Sequence, residues 1–595
     1  MARSPIFSTA AAGNLLVLPT IGFLLVFMIW PIGQMLSLAF LDSASNFTFN
    51  NIGAALFSPT VLRTSTTTLS IALISAVLCT LIAYPIALYL SRRTGRVFAL
   101  LMIMVLIPFW ISVLVRTIAW FLVFGQNGVI NGTLTSLGLT GEAWQMLYTR
   151  GAVITGIVHA IAPISVLTIL GAMQNVDPRL AAASASLGAS PARHFWLVYF
   201  PLTKSGVAAS FILAFVLSLG IFVQPTLLGS PRETMIAQVI IQQIDELFNW
   251  NMAAAIAIVF LVLALLIVVI ADRVFGISLA GRPTRQAGAR RGRLHALQQA
   301  ASRRMLMLLA TLTGPFFGSG APAPPGKARA RFNATAILAI IGLVWLAAPA
   351  LFLIPVSVTD SNFLEWPPRG FSLRWYEAYF TSSIWIDATL RSIIVGLVTA
   401  SVSIVLGIPA AMALSRGEVS AKPIVMGLVL LSLAIPNILL ALAMFYVFST
   451  LGLVGTDLGL VIGQTVFAVP YVIVAMVAAF GNYNWQLNTA AGTLGAGGLR
   501  TFWIITMPIV RVGVASSFVF AFIRSFEELS VAMFISSGLS TTLPKRIWSE
   551  AHFNISPTLA AVSTVLIIGV TTIVLSVEFF TRRAKATTQK GMSHG

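Results

Sequence analysis

Two adjacent carboxylates, Glu527 and Glu528, stand inside an apolar run near the C-terminal end of this 595-residue chain, with Arg524 one helical turn before Glu528. Arg116 and His159 sit in similar surroundings in the N-terminal half. Ionisable groups in apolar runs are costly unless paired or wetted, so each needs a job. The carboxylates can attract a cationic solute or take part in a gate. Glu528 has the alternative of pairing with Arg524 on its own helix face. Arg116 suits a structural or gating pair more than direct solute contact. His159, near Pro163, reads as an interhelical hydrogen-bonding group rather than a proton carrier. Trp110, Trp120, Phe222, Gln224 and Tyr471 complete the candidates for a pathway or gate, although aromatic residues in such runs also serve as packing or interfacial anchors.

Catalytic chemistry has no comparable set. There is no HExxH, CxxC or nucleophile elbow, and the single cysteine, Cys79, lies within an apolar run, which excludes a disulfide framework and a cysteine metal site. The nearest approach to a phosphate loop, Gly320 to Lys327, has the wrong spacing, contains three prolines and puts Ala328 where Ser or Thr would hold magnesium. No catalytic residue and no metal ligand is expected, and a membrane enzyme is disfavoured.

The elements that must position these residues are membrane helices. The chain is 58% hydrophobic and 9% charged, with mean hydropathy +0.94, far from soluble domains. Twelve spans are expected, near 14–38, 64–90, 97–124, 151–174, 206–228, 252–274, 335–358, 388–414, 423–449, 457–479, 512–535 and 557–579. The first lacks a clear cleavage site and is expected to be retained. Net charge is +19, and residues 273–331 hold eleven Lys/Arg with no Asp or Glu. That asymmetry reads as a positive-inside signal rather than nucleic-acid binding. Arg92, Arg93 and Arg96, then Arg179, Arg193 and Lys204, then Arg582, Arg583 and Lys585 all fall on one side, so both termini are expected in the cytoplasm. Met305 to Phe317 is too short to span and would break that parity. It is expected at the interface or against the bundle, followed by a semi-rigid Pro-containing stretch, Gly318 to Gly326.

One spacing occurs twice, 307 residues apart: Gly188 followed by Val198, Phe200 and Pro201, and Gly495 followed by Ile505, Met507 and Pro508. Earlier in each half, Pro85 to Arg92 parallels Pro409 to Arg416 at an offset of 324. The change in offset puts about 17 extra residues in the first half, with the external loop Gly125 to Arg150 as the expected location. Six spans separate the copies, so they share one orientation, related by a pseudo-two-fold along the membrane normal. The chain divides into a first half (1–280), a basic linker (281–332), a second half (333–580) and a basic tail (581–595).

The doubled segment resembles the cytoplasmic coupling loop of ABC importer permeases, whose pattern is Glu-Ala-Ala, three residues, Gly, nine residues, Ile, one residue, Leu-Pro. Here the copies read Ala182-Ala183-Ser184 with Gly188 and Pro201, and Thr489-Ala490-Ala491 with Gly495 and Pro508, so both lack the glutamate. Small residues let a short helix enter a partner's groove, glycine turns the chain, and proline suits the first turn of the span that follows. More narrowly, Pro108 to Trp120, Asp177 to Leu180 and Phe222 to Gly229 resemble the first permease of spermidine/putrescine importers. Gly463 to Tyr471, Ser525 to Glu528, Thr541 to Pro544 and Ile547-Trp548 resemble the second. Ile221 stands where those permeases usually place a glutamate.

The resemblance implies an all-α polytopic membrane protein of the type I ABC importer permease fold, two six-helix repeats in one chain, in a bacterial inner membrane. It implies two copies of a cytoplasmic ABC ATPase as partners, which bind the ATP and Mg, and one periplasmic or extracellular solute-binding protein. No cofactor in this chain and no nucleic acid are implied; lipid surrounds it. Arg232, Glu233, Lys545 and Arg546 would sit on the receptor-facing rim. The substrate implied is a polyamine or related small amine, with opines, aminoalkylphosphonates and ferric ion as alternatives. An ion-coupled secondary transporter is the rival reading.

Overall fold

The computed structural model describes residues 9–592 except 43, 276–292, 315–333, 418, 420–421 and 554. Among the described residues the chain is helical, with one isolated bridge, Leu41 to Phe47, outside the helices. Helices are what lipid demands, because it offers no partner to backbone amides and carbonyls. Among the described residues ten helices are long and apolar enough to cross a membrane, or eleven if the bent pair Lys422–Leu433 and Asn437–Thr450 is one span. A shorter apolar helix, Pro557–Ile573, occupies the twelfth expected position.

Four of the expected continuous spans are broken. The third is split into Gly95–Trp110 and Val113–Phe124, and the ninth into Lys422–Ala434 and Asn437–Thr450. The fifth divides into Phe200–Leu219 and Val223–Leu228, and the eleventh into Met507–Phe526 and Ser530–Ile535. The breaks match across the repeat, at the same offsets of 324 and 307 residues found in the sequence. Local chemistry accounts for two of them. Pro436 disfavours helical geometry at Ile435, and the pair bends by 96°. Ser112 starts a new helix by accepting from the Leu114 amide at 3.3 Å. Hydropathy alone does not register such breaks, because the residues at them remain mostly apolar.

Each half is built on three mutually packed helices: Pro59–Ser91, Arg150–Gln174 and Phe200–Leu219 in the first, and Ser383–Arg416, Asp457–Gly481 and Met507–Phe526 in the second. Small residues let them approach closely, as expected where no hydrophobic force favours helix over lipid. A Cβ on Gly206 would meet Ala172 Cβ at 2.4 Å, and its counterpart on Gly513 would meet Ala479 Cβ at 2.7 Å. The hydroxyls of Thr68 and Ser392 accept from the Ile236 and Leu543 amides at 2.8 and 2.7 Å, docking the short helices Ile236–Asp245 and Leu543–Phe553 in the same way.

The halves exchange their opening spans. Thr20, in the first span, donates to Leu406 O of the second half at 2.7 Å, and Phe27 meets Phe448 edge-on. In return, the seventh span, Ala334–Val356, packs on first-half helices through Trp345 and Leu346. The loop expected to hold the extra residues of the first half contains a short helix, Val129–Ser136. Buried Asn131 pins that loop through Gly125 O, Trp144 O and the Trp144 amide.

The linker's described part is a helix, Arg293–Leu312, packed against Pro191–His194 and Phe195–Tyr199. Gly318 to Gly326 lies outside the described residues.

Candidate functional site

The two Gly-to-Pro segments fold alike. Short helices Arg179–Ser186 and Gln486–Thr493 lead to Gly188 and Gly495, whose φ values are +74° and +83°. Beyond the adjoining residues no atom lies within 4 Å of where either Cβ would sit, so glycine is required by backbone conformation and not by space. Ala182 and Ala183 are exposed, as are Thr489 and Ala490, whereas Ser184 and Ala491 face inward. The pairing of exposed positions therefore differs from a simple Ala-Ala match: Ala491 corresponds to Ser184. Leu187 and Leu494, one residue before each glycine, are 89% and 88% exposed. They were legible as repeated Leu-Gly-Ala triplets, but only the turn shows that both side chains project from the protein.

Different networks hold the two loops. Ser184 Oγ and His194 Nδ1 lie 2.7 Å apart in the first. In the second, the Tyr483 hydroxyl donates to Asn488 Oδ1, and both Tyr483 and Asn488 reach Thr506 Oγ1. Each proline falls in the first turn of an α-helical segment, Phe200–Leu219 or Met507–Phe526, as the sequence suggested, but the helix itself starts earlier. The fifth and eleventh spans begin at Pro191 and Gly498, and a π-helical turn precedes each proline. Phe200 N bonds to Phe195 O, and Met507 N bonds to Phe502 O. The wider turn accommodates a residue that has no N–H to give.

The second feature is the meeting of the four broken spans. Glu527 and Glu528 are not deep within a continuous helix: Glu527 ends Met507–Phe526, and Glu528 lies in the gap before Ser530–Ile535. Glu528 is buried and accepts from the Ser530 and Val531 amides at 3.1 and 2.6 Å, capping the half-helix. Arg524 acts on it at longer range and lies over the Phe467 ring. Glu527 is only half-buried and interacts electrostatically with Arg116 of the other half. Arg116 is buried and donates through Nη1 to Ala160 O at 3.1 Å. The repeat equivalents of Arg116 and Glu527 are Leu440 and Gly220, so the charges stand on one side of the pseudo-symmetric centre.

The family "Binding-protein-dependent transport system inner membrane component" matches residues 83–277 and 403–586, which together exceed half of the chain. The chain belongs to this permease family. It is 30% identical over 252 residues to the spermidine/putrescine transport system permease protein PotB of Haemophilus influenzae, covering 41% of this chain and 88% of that protein. It is 26% identical over 240 residues to PotC of the same organism, covering 40% of this chain and 93% of that one. A solved bacterial ABC transporter involved in alginate import aligns at 21% identity and TM-score 0.39, over 44% of this chain and 93% of its own.

Two family copies in one polypeptide make this permease a fused, multi-pass importer component, and the ion-coupled secondary carrier is set aside. Within the permease, Trp120 is buried against Phe124, His159 and Trp345, which makes it a packing residue. His159 bonds through Nε2 to Leu346 O at 2.9 Å, tying the fourth span to the seventh. Phe222 is buried against Trp548, and Gln224 is buried in the half-helix Val223–Leu228. Trp110 ends the helix before the third-span break, and Tyr471 follows Pro470 in the tenth span; both are half-buried.

Of the residues expected at the receptor-facing rim, Arg232 is exposed while Glu233 caps the Ser230 amide at 3.0 Å. Arg546 pairs with Glu550 at 3.0 Å and lies over Trp385. Lys545 donates to Ser536 O; partial burial lowers its ammonium below the usual lysine range, and Asp245 opposes that shift. Gln464, which accepts from the Ser525 hydroxyl, is a buried polar contact that composition gave no reason to single out.

Proposed function

We propose that this chain is the transmembrane conduit, both halves in one polypeptide, of an ATP-driven importer for a small organic amine, with polyamines first. The observation that carries it is the pair of loops, alike in backbone and exposed leucine, in one polypeptide holding both family copies. Two ATPase subunits dock on them from the cytoplasm and bind the ATP and Mg themselves; a solute receptor docks on the opposite face. Both termini are cytoplasmic and the membrane is a bacterial inner membrane. ATPase closure draws the coupling helices together and changes which side of the central breaks is open.

The names of PotB and PotC support the polyamine reading, as does the half-buried Glu527 beside the broken spans. Ile221, apolar at the repeat position of Glu528, leaves the carboxylates on one half only, which favours a solute with a single ammonium near this point. Opines, aminoalkylphosphonates and ferric ion are the alternatives. The test is uptake into vesicles carrying the chain, its partner ATPase and its partner solute receptor. ATP-dependent accumulation of an amine that the receptor binds is expected. Uptake driven by an ion gradient without ATP would overturn the mechanism, and a receptor that binds none of these amines would overturn the substrate.

A further inference from the structure

Trp196 and Trp503 occupy one repeat position, in the π-helical turns that join the coupling loops to their spans. Trp503 is 59% exposed, and Leu499 and Ile504 beside it are equally bare. An exposed apolar patch at the start of a membrane span is a lipid-facing patch, with the tryptophan at interfacial depth.

In the first half the same surface is covered. The linker helix Arg293–Leu312 packs on it, Ala192, the repeat equivalent of Leu499, is 1% exposed, and Trp196 Nε1 donates to Thr313 Oγ1 at 2.8 Å. The linker helix therefore lies at the depth where lipid meets the second half. Leu306, Leu309 and Ala310 turn inward, whereas Met305, Leu308 and Leu312 form an exposed stripe on an adjoining face, and Met307 is exposed as well. Arg303 and Arg304, both exposed, precede that stripe, in a segment (273–331) that holds eleven basic residues and no acidic one. An apolar stripe with Arg304 at its edge and Arg303 across the helix from it, both exposed to water, has the form of a helix lying in the plane of an anionic membrane surface.

We propose that the linker helix binds anionic phospholipid of the cytoplasmic leaflet, Met305, Leu308 and Leu312 entering the acyl boundary and Arg303 and Arg304 meeting the headgroups, and that the Trp196–Thr313 contact thereby fastens the first coupling loop, but not the second, to the bilayer. The two docking loops are then unequal by construction. The inference rests on the reading that both loops face the cytoplasm.

The test uses the full chain in phosphatidylcholine vesicles, with and without phosphatidylglycerol, bearing an environment-sensitive dye on Leu308→Cys; Cys79 is buried and stays unlabelled. Lipids brominated on the acyl chain should quench the dye, and more strongly when phosphatidylglycerol is present. Arg303→Gln with Arg304→Gln should remove that gain, about five-fold in surface partitioning per arginine. A dye on Ile504→Cys should be quenched regardless of lipid charge. A dye at position 308 that bromine does not reach, whether open to aqueous iodide or shielded from both, overturns the proposal, as does quenching indifferent to phosphatidylglycerol. Quenching is read without ATPase or solute, so failure here leaves the transport reading standing. Loss of ATP-driven uptake with normal quenching would strike that reading instead.

Discussion

Gly220, at the break of the fifth span, lies against Pro436, at the break of the ninth: a Cβ on the glycine would come within 2.7 Å of the proline Cβ and 3.0 Å of its Cα. The halves thus meet break to break at their centre. Backbone, unlike a flexible side chain, cannot step aside cheaply, so this contact is sensitive to a single methyl group.

Gly220→Val is expected to abolish uptake and to destabilise the protein by about 1–3 kcal/mol through overpacking. Gly220→Ala should retain part of the activity. Uptake in vesicles and the thermal midpoint of the purified chain measure both; wild-type transport by the valine variant would mean that the two breaks separate in the working protein.

Gly188→Val and Gly495→Val should each strain the coupling loop by roughly 1–2 kcal/mol, since a β-branched residue is held at positive φ. Space is free around both positions, so folding should survive. The expected outcome is ATP hydrolysis no longer matched by uptake, read as the ratio of the two rates. An unchanged ratio in both variants would remove these glycines from the coupling mechanism.

Glu527→Gln and Glu528→Gln should separate transport from stability. Glu528 holds the Ser530 and Val531 amides, so losing its charge should lower stability by about 1–2 kcal/mol. Glu527 makes no such cap, and its variant should keep the melting point while changing apparent solute affinity or transport rate. The reverse pattern would exchange the two assignments.

His159→Phe keeps much of the ring packing on Trp120 and Trp345 but leaves Leu346 O without its side-chain partner. A loss of about 1–3 kcal/mol is expected, with the pH dependence of uptake unchanged. A shifted pH profile would restore the proton-carrier role that the geometry argues against.

Membership in an all-helical permease, the twofold repeat and the left-handed turns at Gly188 and Gly495 were readable because each depends on a local pattern: apolar runs of spanning length and a glycine that only a left-handed turn requires. The change in offset, from 324 between Pro85 and Pro409 to 307 between Gly188 and Gly495, even marked the loop that holds the extra helix Val129–Ser136. Glu528 was harder. Its neighbour Arg524 offered a plain helix-face pairing, whereas the carboxylate instead caps a half-helix that exists only because the span breaks beside it.

By itself the sequence determined which segments enter lipid, their order and their duplication, because transfer from water and backbone hydrogen bonding act on each segment separately. The tertiary structure alone decided the rest. The exchange of first and seventh spans, the contact of Gly220 with Pro436, the approach of Glu527 to Arg116 and the seat of the linker helix on Trp196 all join residues far apart in the chain. In a bilayer, apolar helices gain little from burial against one another, so their partners are chosen by close fit and by a few buried polar contacts. Those depend on the shapes of both surfaces at once, which no single stretch of sequence contains.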